Sequence, residues 1–365
     1  PLRRQRQMCI RDSVRAVQAL FAAFSWEPGF LPRFPVRMDP DPPVLHILRG
    51  AGCGALCRDG RELRLAAACG FAGPAVAYAP LRPDAAAEQL ARELGAVFVL
   101  DGPQVLPAFA PEAAVLLLRQ QGPLRISGRP IMGAPVSSAG MEEAELCRLA
   151  AGLHAGGTRT LGLGMSLGDL CMDEGFYPAV FAQLAAAAAR LREKSGLTVR
   201  IFDLGGGFGV SCRPDCPGPD LSACAAALRA QTCALPEALQ GVQLSMSPGR
   251  FLAAGGGVLV CRVVAVKPGP TAVLDVSAAQ CLRLEKRGAY HAAAALRTAG
   301  RPPLLQQLTT LEQGAPFARQ VLPQLRAGDP VIIRMLGADG RSFSCASERC
   351  PAYLLRADGT IEPIE

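Results

Sequence analysis

The chain has 365 residues, half of them hydrophobic, and a formal net charge of +7 from 38 basic and 31 acidic side chains. That length and apolar content support one large core or two moderate ones. The charge is dispersed apart from a local run at Arg3-Arg4-Gln5-Arg6, and only 5% of residues are aromatic, which gives little support to nucleic-acid binding. No apolar run reaches the ~20 residues that span a bilayer, so a soluble, cytoplasmic protein is expected.

Residues 1–13 carry no apolar stretch with a cleavage site. They read as a non-native-looking leader outside the fold. From Val14 onward, short apolar runs alternate with alanine-rich amphipathic stretches, the pattern of a parallel sheet covered by helices. Val14–Phe24 has helical period, Arg33–Met38 reads as strand, Pro43–Ala51 as helix, Gly54–Cys57 as strand and Arg61–Cys69 as helix. Ala75–Ala79, Ala85–Leu94, Ala96–Leu100 and Gln104–Phe109 continue the rhythm. Ala114–Leu118 (strand), Glu142–Gly156 (helix), Thr160–Met165 (strand) and Tyr177–Ser195 (a long helix) extend it. Repeats of this kind close into a (β/α)8 barrel whose ligands sit at the C-terminal ends of the strands.

Near residue 255 the texture becomes β. Gly257–Lys267, Thr271–Val276, Asp329–Met335 and Ala352–Arg356 are β-rich runs separated by turns such as Lys267-Pro268-Gly269. The expected organisation is a barrel over 14–255 followed by an all-β domain over 256–365.

The strongest local signal is Asp203-Leu204-Gly205-Gly206-Gly207-Phe208-Gly209, directly after the apolar run Val199–Phe202. Glycines allow backbone N–H groups to converge on a phosphate, and a late barrel strand is where such sites form. The fourteen cysteines lie in apolar segments, as small hydrophobes do in a reduced interior. The pairs Cys53/Cys57 and Cys212/Cys216 lack CxxC spacing, and the only histidines are His46, His154 and His291, so no metal site is expected.

Taken in order, several stretches resemble the fold-type III decarboxylases that use pyridoxal phosphate, most nearly diaminopimelate decarboxylase. They are Phe34-Pro35-Val36-Arg37-Met38-Asp39-Pro40, Gly52–Cys57 with Glu62-Leu63, Ala91–Ala96, the glycine loop, Ser247-Pro248-Gly249-Arg250-Phe251, Gly288–His291 and Ala327-Gly328-Asp329. The resemblance implies an alanine-racemase-like barrel and a β domain. It also implies a cofactor phosphate held by Gly205, Gly206, Gly207, Gly209, Gly249 and Arg250, and substrate or cofactor contacts at Arg283, Tyr290 and Glu312.

The chemical positions depart from that pattern. The Schiff-base lysine position is Arg37, and a guanidinium stays protonated and is a poor carbonyl nucleophile. The ring-stacking histidine falls at Gly164, the acid on the pyridine nitrogen at Ser247, and the catalytic cysteine at Leu311. This combination points to a catalytically degenerate member, with pyridoxal phosphate bound non-covalently or lost, acting as a homodimer or with an active paralogue. Two alternatives stay open. One is an active decarboxylase of lysine biosynthesis using Lys194, Lys267 or Lys286, and the other is a non-catalytic binder of a phosphorylated small molecule.

Overall fold

The computed structural model describes residues 8–106, 115–122, 125–126, 129–130, 139–166, 171–211, 217–277, 280, 291–314, 316–338, 351–355 and 359–364. Eight parallel strands close a barrel: β1 (Leu31–Pro35), β2 (Gly54–Cys57), β3 (Val76–Tyr78), β4 (Val97–Leu100), β5 (Val115–Arg119), β6 (Thr160–Gly164), β7 (Thr198–Asp203) and β8 (Gln243–Met246). Neighbours in sequence are neighbours in the barrel, and β8 closes on β1 through Leu31 beside Ser245 and Pro32 beside Met246.

Period-2 alternation sends one face of each strand inward. Leu56, Ala77, Ala79, Val97, Val99 and Leu117 pack together there, with Ile201 against them. Glycine occupies β6 where these side chains crowd: a Cβ on Gly162 would stand 3.1 Å from Leu117 Cγ and 3.2 Å from Ile201 Cβ.

The outer helices are α1 (Met8–Ala23), α2 (Pro42–Gly50), α3 (Gly60–Ala68), α4 (Ala85–Glu93), α5 (Glu143–Ala155), α6 (Phe176–Ser195) and α7 (Leu221–Cys233). Short polar caps start several of them. The Asp59 carboxylate accepts from Glu62 N at 2.8 Å, Asp84 from Ala87 N at 3.0 Å, and Asp220 from Ser222 N at 2.8 Å. Each cap satisfies an N–H that the first turn leaves without an intrahelical partner. None of the described helices is long and apolar enough to cross a membrane.

The chain divides into two compact units, one made of Arg15–Gly209 with Gly218–Phe251, the other chiefly of the chain after Leu252. The second unit contains a six-stranded sheet. Its strands are β9 (Val258–Lys267), β10 (Thr271–Leu274), β11 (Ala293–Ala295), β12 (Pro303–Thr309), β13 (Ala318–Pro323) and β14 (Pro330–Arg334), in the order β11-β14-β9-β10-β12-β13. A separate hairpin pairs β15 (Ala352–Leu355) with β16 (Ile361–Ile364). Cys261, Val263, Ala272, Leu274, Leu308, Phe317, Val331 and Ile333 form the core of this unit.

Several elements differ from the sequence reading. The strand expected over Arg33–Met38 stops at Pro35, and Val36–Met38 turns as a short 3-10 helix that carries Arg37 past the strand end. Pro35 still pairs with Leu56, and the chain leaves the ladder immediately after it. The element expected over Gln104–Phe109 reduces to a 3-10 turn at Pro103–Val105, and Phe109 lies outside the described residues. Strands β11, β12 and β13 carried no clear signal, because an alanine triplet and glutamine-interrupted runs lack the β-branched character of their neighbours. Helix α1 starts at Met8 and runs unbroken through the division expected after residue 13.

Candidate functional site at the barrel mouth

Two groups of residues meet at the C-terminal end of the barrel strands. The first is built on β7 and β8. Asp203 ends β7 and is buried, and its Oδ1 accepts from Gly205 N at 3.2 Å and from Ser245 Oγ at 3.3 Å. This carboxylate holds the chain at the point where Gly205 turns into the left-handed region, with φ of 70°. Gly207 does so again at 97°. Both conformations are strained for residues with a Cβ.

Backbone bonds then tie this loop to the end of β8: Leu204 N donates to Ser245 O at 2.8 Å and Ser247 N to Gly205 O at 2.7 Å. The approach is close enough that a Cβ on Gly206 would stand 2.8 Å from Ser247 O. Gly249 lies against β1, where its Cβ would meet Met38 Cγ at 3.0 Å and Pro35 Cδ at 3.2 Å. Arg250, half-buried, follows it in the five-residue helix α8 (Gly249–Ala253).

An aromatic wall supports the loop from behind. Tyr177 stacks on Phe208 at 5.4 Å, Phe208 meets Phe251 edge-on at 5.2 Å, and the Tyr177 hydroxyl donates to Gly205 O at 3.4 Å. Burial pushes the Tyr177 phenol well above its ordinary value, so it remains a donor. Gly209 N donates to Cys171 O at 2.8 Å and completes the brace. Ser247 thus links the two segments, its N–H donating to Gly205 O and its carbonyl accepting from Gly249 N at 2.9 Å, while Gly209 anchors the loop to Cys171.

The second group stands on β1, β2 and β5. Arg37 follows β1, Arg58 follows β2, and Arg119 ends β5. Arg119 is 3% exposed, and its Nη1 donates to Asp101 Oδ1 at 2.7 Å. Its Nε, also buried, has no hydrogen-bond partner. Arg58 is held by its own backbone, whose N–H donates to Glu62 Oε2 at 2.8 Å while Asp59 caps the helix that carries Glu62. Burial, then repulsion from Arg37 and Arg119, pull the Arg58 guanidinium down to about 10, with Asp101 and Glu62 only partly offsetting them. Lower in the barrel Arg33 lies buried, its Nη2 donating to Pro74 O at 2.8 Å and its charge balanced in part by Asp203.

The remaining expected positions fall as follows. Gly164 ends β6 between Arg119 and Asp203 in register. A Cβ there would stand 2.9 Å from Leu117 Cδ2 and 3.0 Å from Asp203 Cβ, so a side chain at this position requires those neighbours to shift. Ser247 is buried at the end of β8 with a neutral hydroxyl. Leu311, 44% exposed, and Glu312, also exposed, occupy the turn after β12 in the second unit. Arg283, Tyr290, Lys286, Cys212 and Cys216 lie outside the described residues. Lys194 ends α6 and pairs with Glu143 at 3.8 Å, and Lys267 ends β9 and bonds Gln313. Neither follows a barrel strand.

Arg58, Asp101 and Arg119 escaped the sequence reading. A signal was present, since Asp101 and Arg119 are the first charged residues after wholly apolar strand runs, which is where a barrel presents side chains to its mouth.

For pyridoxal phosphate, the glycine loop offers the phosphate end a backbone surface without Cβ atoms, although the N–H groups of Gly205 and Gly249 already donate to Asp203 Oδ1 and Ser247 O. The residues at the other end do not fit: no lysine stands at the mouth among the described residues, and Ser247 supplies no carboxylate for a ring nitrogen. No covalent step follows from this arrangement.

A sequence profile described as the pyridoxal-binding domain of pyridoxal-dependent decarboxylases matches residues 10–254. Protein TabA of Pseudomonas amygdali pv. tabaci is 28% identical over 343 residues, covering 90% of this chain and 80% of its own. The diaminopimelate decarboxylase of Deinococcus radiodurans is 28% identical over 320 residues, covering 83% and 77%. Among solved structures, a diaminopimelate decarboxylase from M. jannaschi superposes with a TM-score of 0.84 at 18% identity, covering 98% of this chain and 88% of its own. That likeness concerns the fold.

Proposed function

The chain belongs to the pyridoxal-dependent decarboxylase family, and we propose that it is a diaminopimelate-decarboxylase-like member that has kept phosphate binding and given up Schiff-base catalysis. The observation that carries this reading is Arg37 at the end of β1, facing a mouth where Arg58 and Arg119 add charge and no described lysine stands. When bound, pyridoxal phosphate supplies an aldehyde that captures an amine and a ring that accepts electrons. Arg37 offers no amine that loses its proton. Ser247 cannot keep the ring nitrogen protonated, and Gly164 leaves that face of the site bare.

What the chain's own residues retain is binding. Gly205, Gly206, Gly207 and Gly249 hold the phosphate, and Tyr177, Phe208 and Phe251 keep the loop rigid and dry beneath it. Such a protein acts through association, with itself or with an active paralogue. The outward face of β9 supports this role: Val258, Val260, Val264 and Val266 all point to solvent, with Val260 64% exposed. An apolar stripe of this kind is a usual mark of an interaction surface.

The test is the visible absorption spectrum after incubation with pyridoxal phosphate. The wild-type chain is expected to show no Schiff-base band and no carbon dioxide release from diaminopimelate, whereas Arg37→Lys gains the band. A band in the wild type, mapped by borohydride reduction to Lys194, Lys267 or Lys286, would instead support the active-enzyme alternative.

A further inference from the structure

We infer that Arg33 is a positioning residue for the glycine loop: its guanidinium, enclosed in the barrel, supplies the positive charge that keeps the Asp203 carboxylate in place as acceptor for the loop's first turn. This role concerns how the loop is held and not what it binds, and so goes beyond the phosphate reading.

Strand register places the two charges in one lumen. Arg33 is in register with Gly54, two residues before the inward Leu56, and therefore faces inward as well. Asp203 follows the inward Ile201 by two residues and is in register with Ser245, which is in register with Leu31 on β1. Only β8 separates the strands that carry them. Around them the lumen is apolar, and Arg33 and Asp203 are 5% and 6% exposed.

A guanidinium in such a place is costly unless an opposite charge compensates it. Arg33 Nη2 donates to Pro74 O at 2.8 Å, but a carbonyl carries no net charge, and the buried Nε has no hydrogen-bond partner among the described residues. Burial pulls the Arg33 guanidinium down, and Asp203, followed by Cys53, opposes that pull. Cys53 is a neutral thiol at ordinary pH, since burial pushes it up to about 12. Asp203 is thus the anion that offsets Arg33, and it does so through space, in an interior that screens charge far less than water.

The attraction is mutual, and Asp203 needs it. Its Oδ1 accepts from Gly205 N at 3.2 Å and from Ser245 Oγ at 3.3 Å. Both contacts are longer than the ~2.7–2.9 Å of a strong charge-assisted bond, so they hold the carboxylate only in part. Arg33 supplies the remainder, and Gly205 makes its left-handed turn against an acceptor whose charge is compensated from within the barrel.

Hydrogen–deuterium exchange at the Gly205 amide, followed by mass spectrometry on the full chain without ligand, tests this role whatever the loop binds. Arg33→Met should lower the protection of that amide by about tenfold, the weight of one hydrogen bond, whereas Arg33→Lys, which keeps the charge, should stay at the wild-type level. Asp203→Asn should also lose protection, and adding Arg33→Met to it should cost no more. Full protection in Arg33→Met, equal losses in the Met and Lys variants, or additive losses in the double variant would each overturn the inference. If Arg33→Met fails to fold, the double variant decides. Recovery of folding there identifies the uncompensated carboxylate as the fault and supports the coupling, and a second failure overturns it.

Discussion

The two halves of the barrel mouth differ in what they are made of. On β7 and β8 the site is backbone: Gly205 meets Met165, Gly206 meets Ser247 and Gly249 meets Met38 so closely that a single added carbon would collide. On β1, β2 and β5 it is side chain, with Arg37, Arg58 and Arg119 projecting charge. A backbone cradle is part of the packing of the barrel, so it persists while the fold persists. Side chains at strand ends can change with little effect on the strands beneath them, so a barrel fold can persist while the groups at its rim differ.

The comparison is most exposed to failure at Asp101. Asp101→Asn leaves Arg119 charged and buried without its partner, and breaking such a pair costs about 3 kcal/mol. Urea unfolding should register that loss, and adding Arg119→Leu should recover much of it. A loss well under ~1 kcal/mol, the range of surface pairs, would mean that the arginine side is solvated and not the strained counterpart described here.

Next in size is Gly206→Ala. Its Cβ would stand 2.8 Å from Ser247 O, so the β7 and β8 loops must separate, at about 2 kcal/mol by analogy with overpacked cores. Titration with inorganic phosphate, read by thermal shift, should lose its stabilising effect in this variant. Unchanged stability and phosphate response would show that the cradle is looser than the packing indicates.

The smallest effect is a pH dependence on the side of β1 and β2. Burial pushes the Cys53 thiol from 9.0 up to about 12, and its Sγ donates to Pro32 O at 3.2 Å. Below pH 9 the thiol is neutral in both folded and unfolded chains, and its contribution is fully present. Between about 9 and 12 the unfolded chain releases the proton and the folded one holds it, so the unfolding free energy falls as pH rises. Over the first unit above pH 9 that amounts to about 1 kcal/mol, and Cys53→Ala should flatten the slope between pH 9 and 10. An unaltered slope would mean that water reaches Cys53 at the starts of β1 and β2.

Much of the fold is legible along the chain. The alternation of Gly54–Cys57, Arg61–Cys69 and Ala85–Leu94 marks strands and helices because burial on one face imposes a period. Asp203–Gly209 identifies itself by glycine density after an apolar strand. The arginine group does not, since Arg37, Arg58 and Arg119 are up to 82 positions apart and look like ordinary charges ending apolar runs. Likewise β11 and β12 pair with β14 and β10, strands distant in sequence, from residues with little intrinsic preference for extension, and β13 is recruited by β12.

By itself, then, the sequence determined the barrel rhythm, the glycine loop after an apolar strand and the arginine at position 37, all of which are local facts about residue type and spacing. The tertiary structure alone decided that Gly206 packs against Ser247, that Gly164 is crowded by Leu117 and Asp203, and that three guanidiniums share one mouth. The physical reason is barrel closure, which brings the ends of eight strands to one rim and makes neighbours of residues whose separation in the chain conceals it.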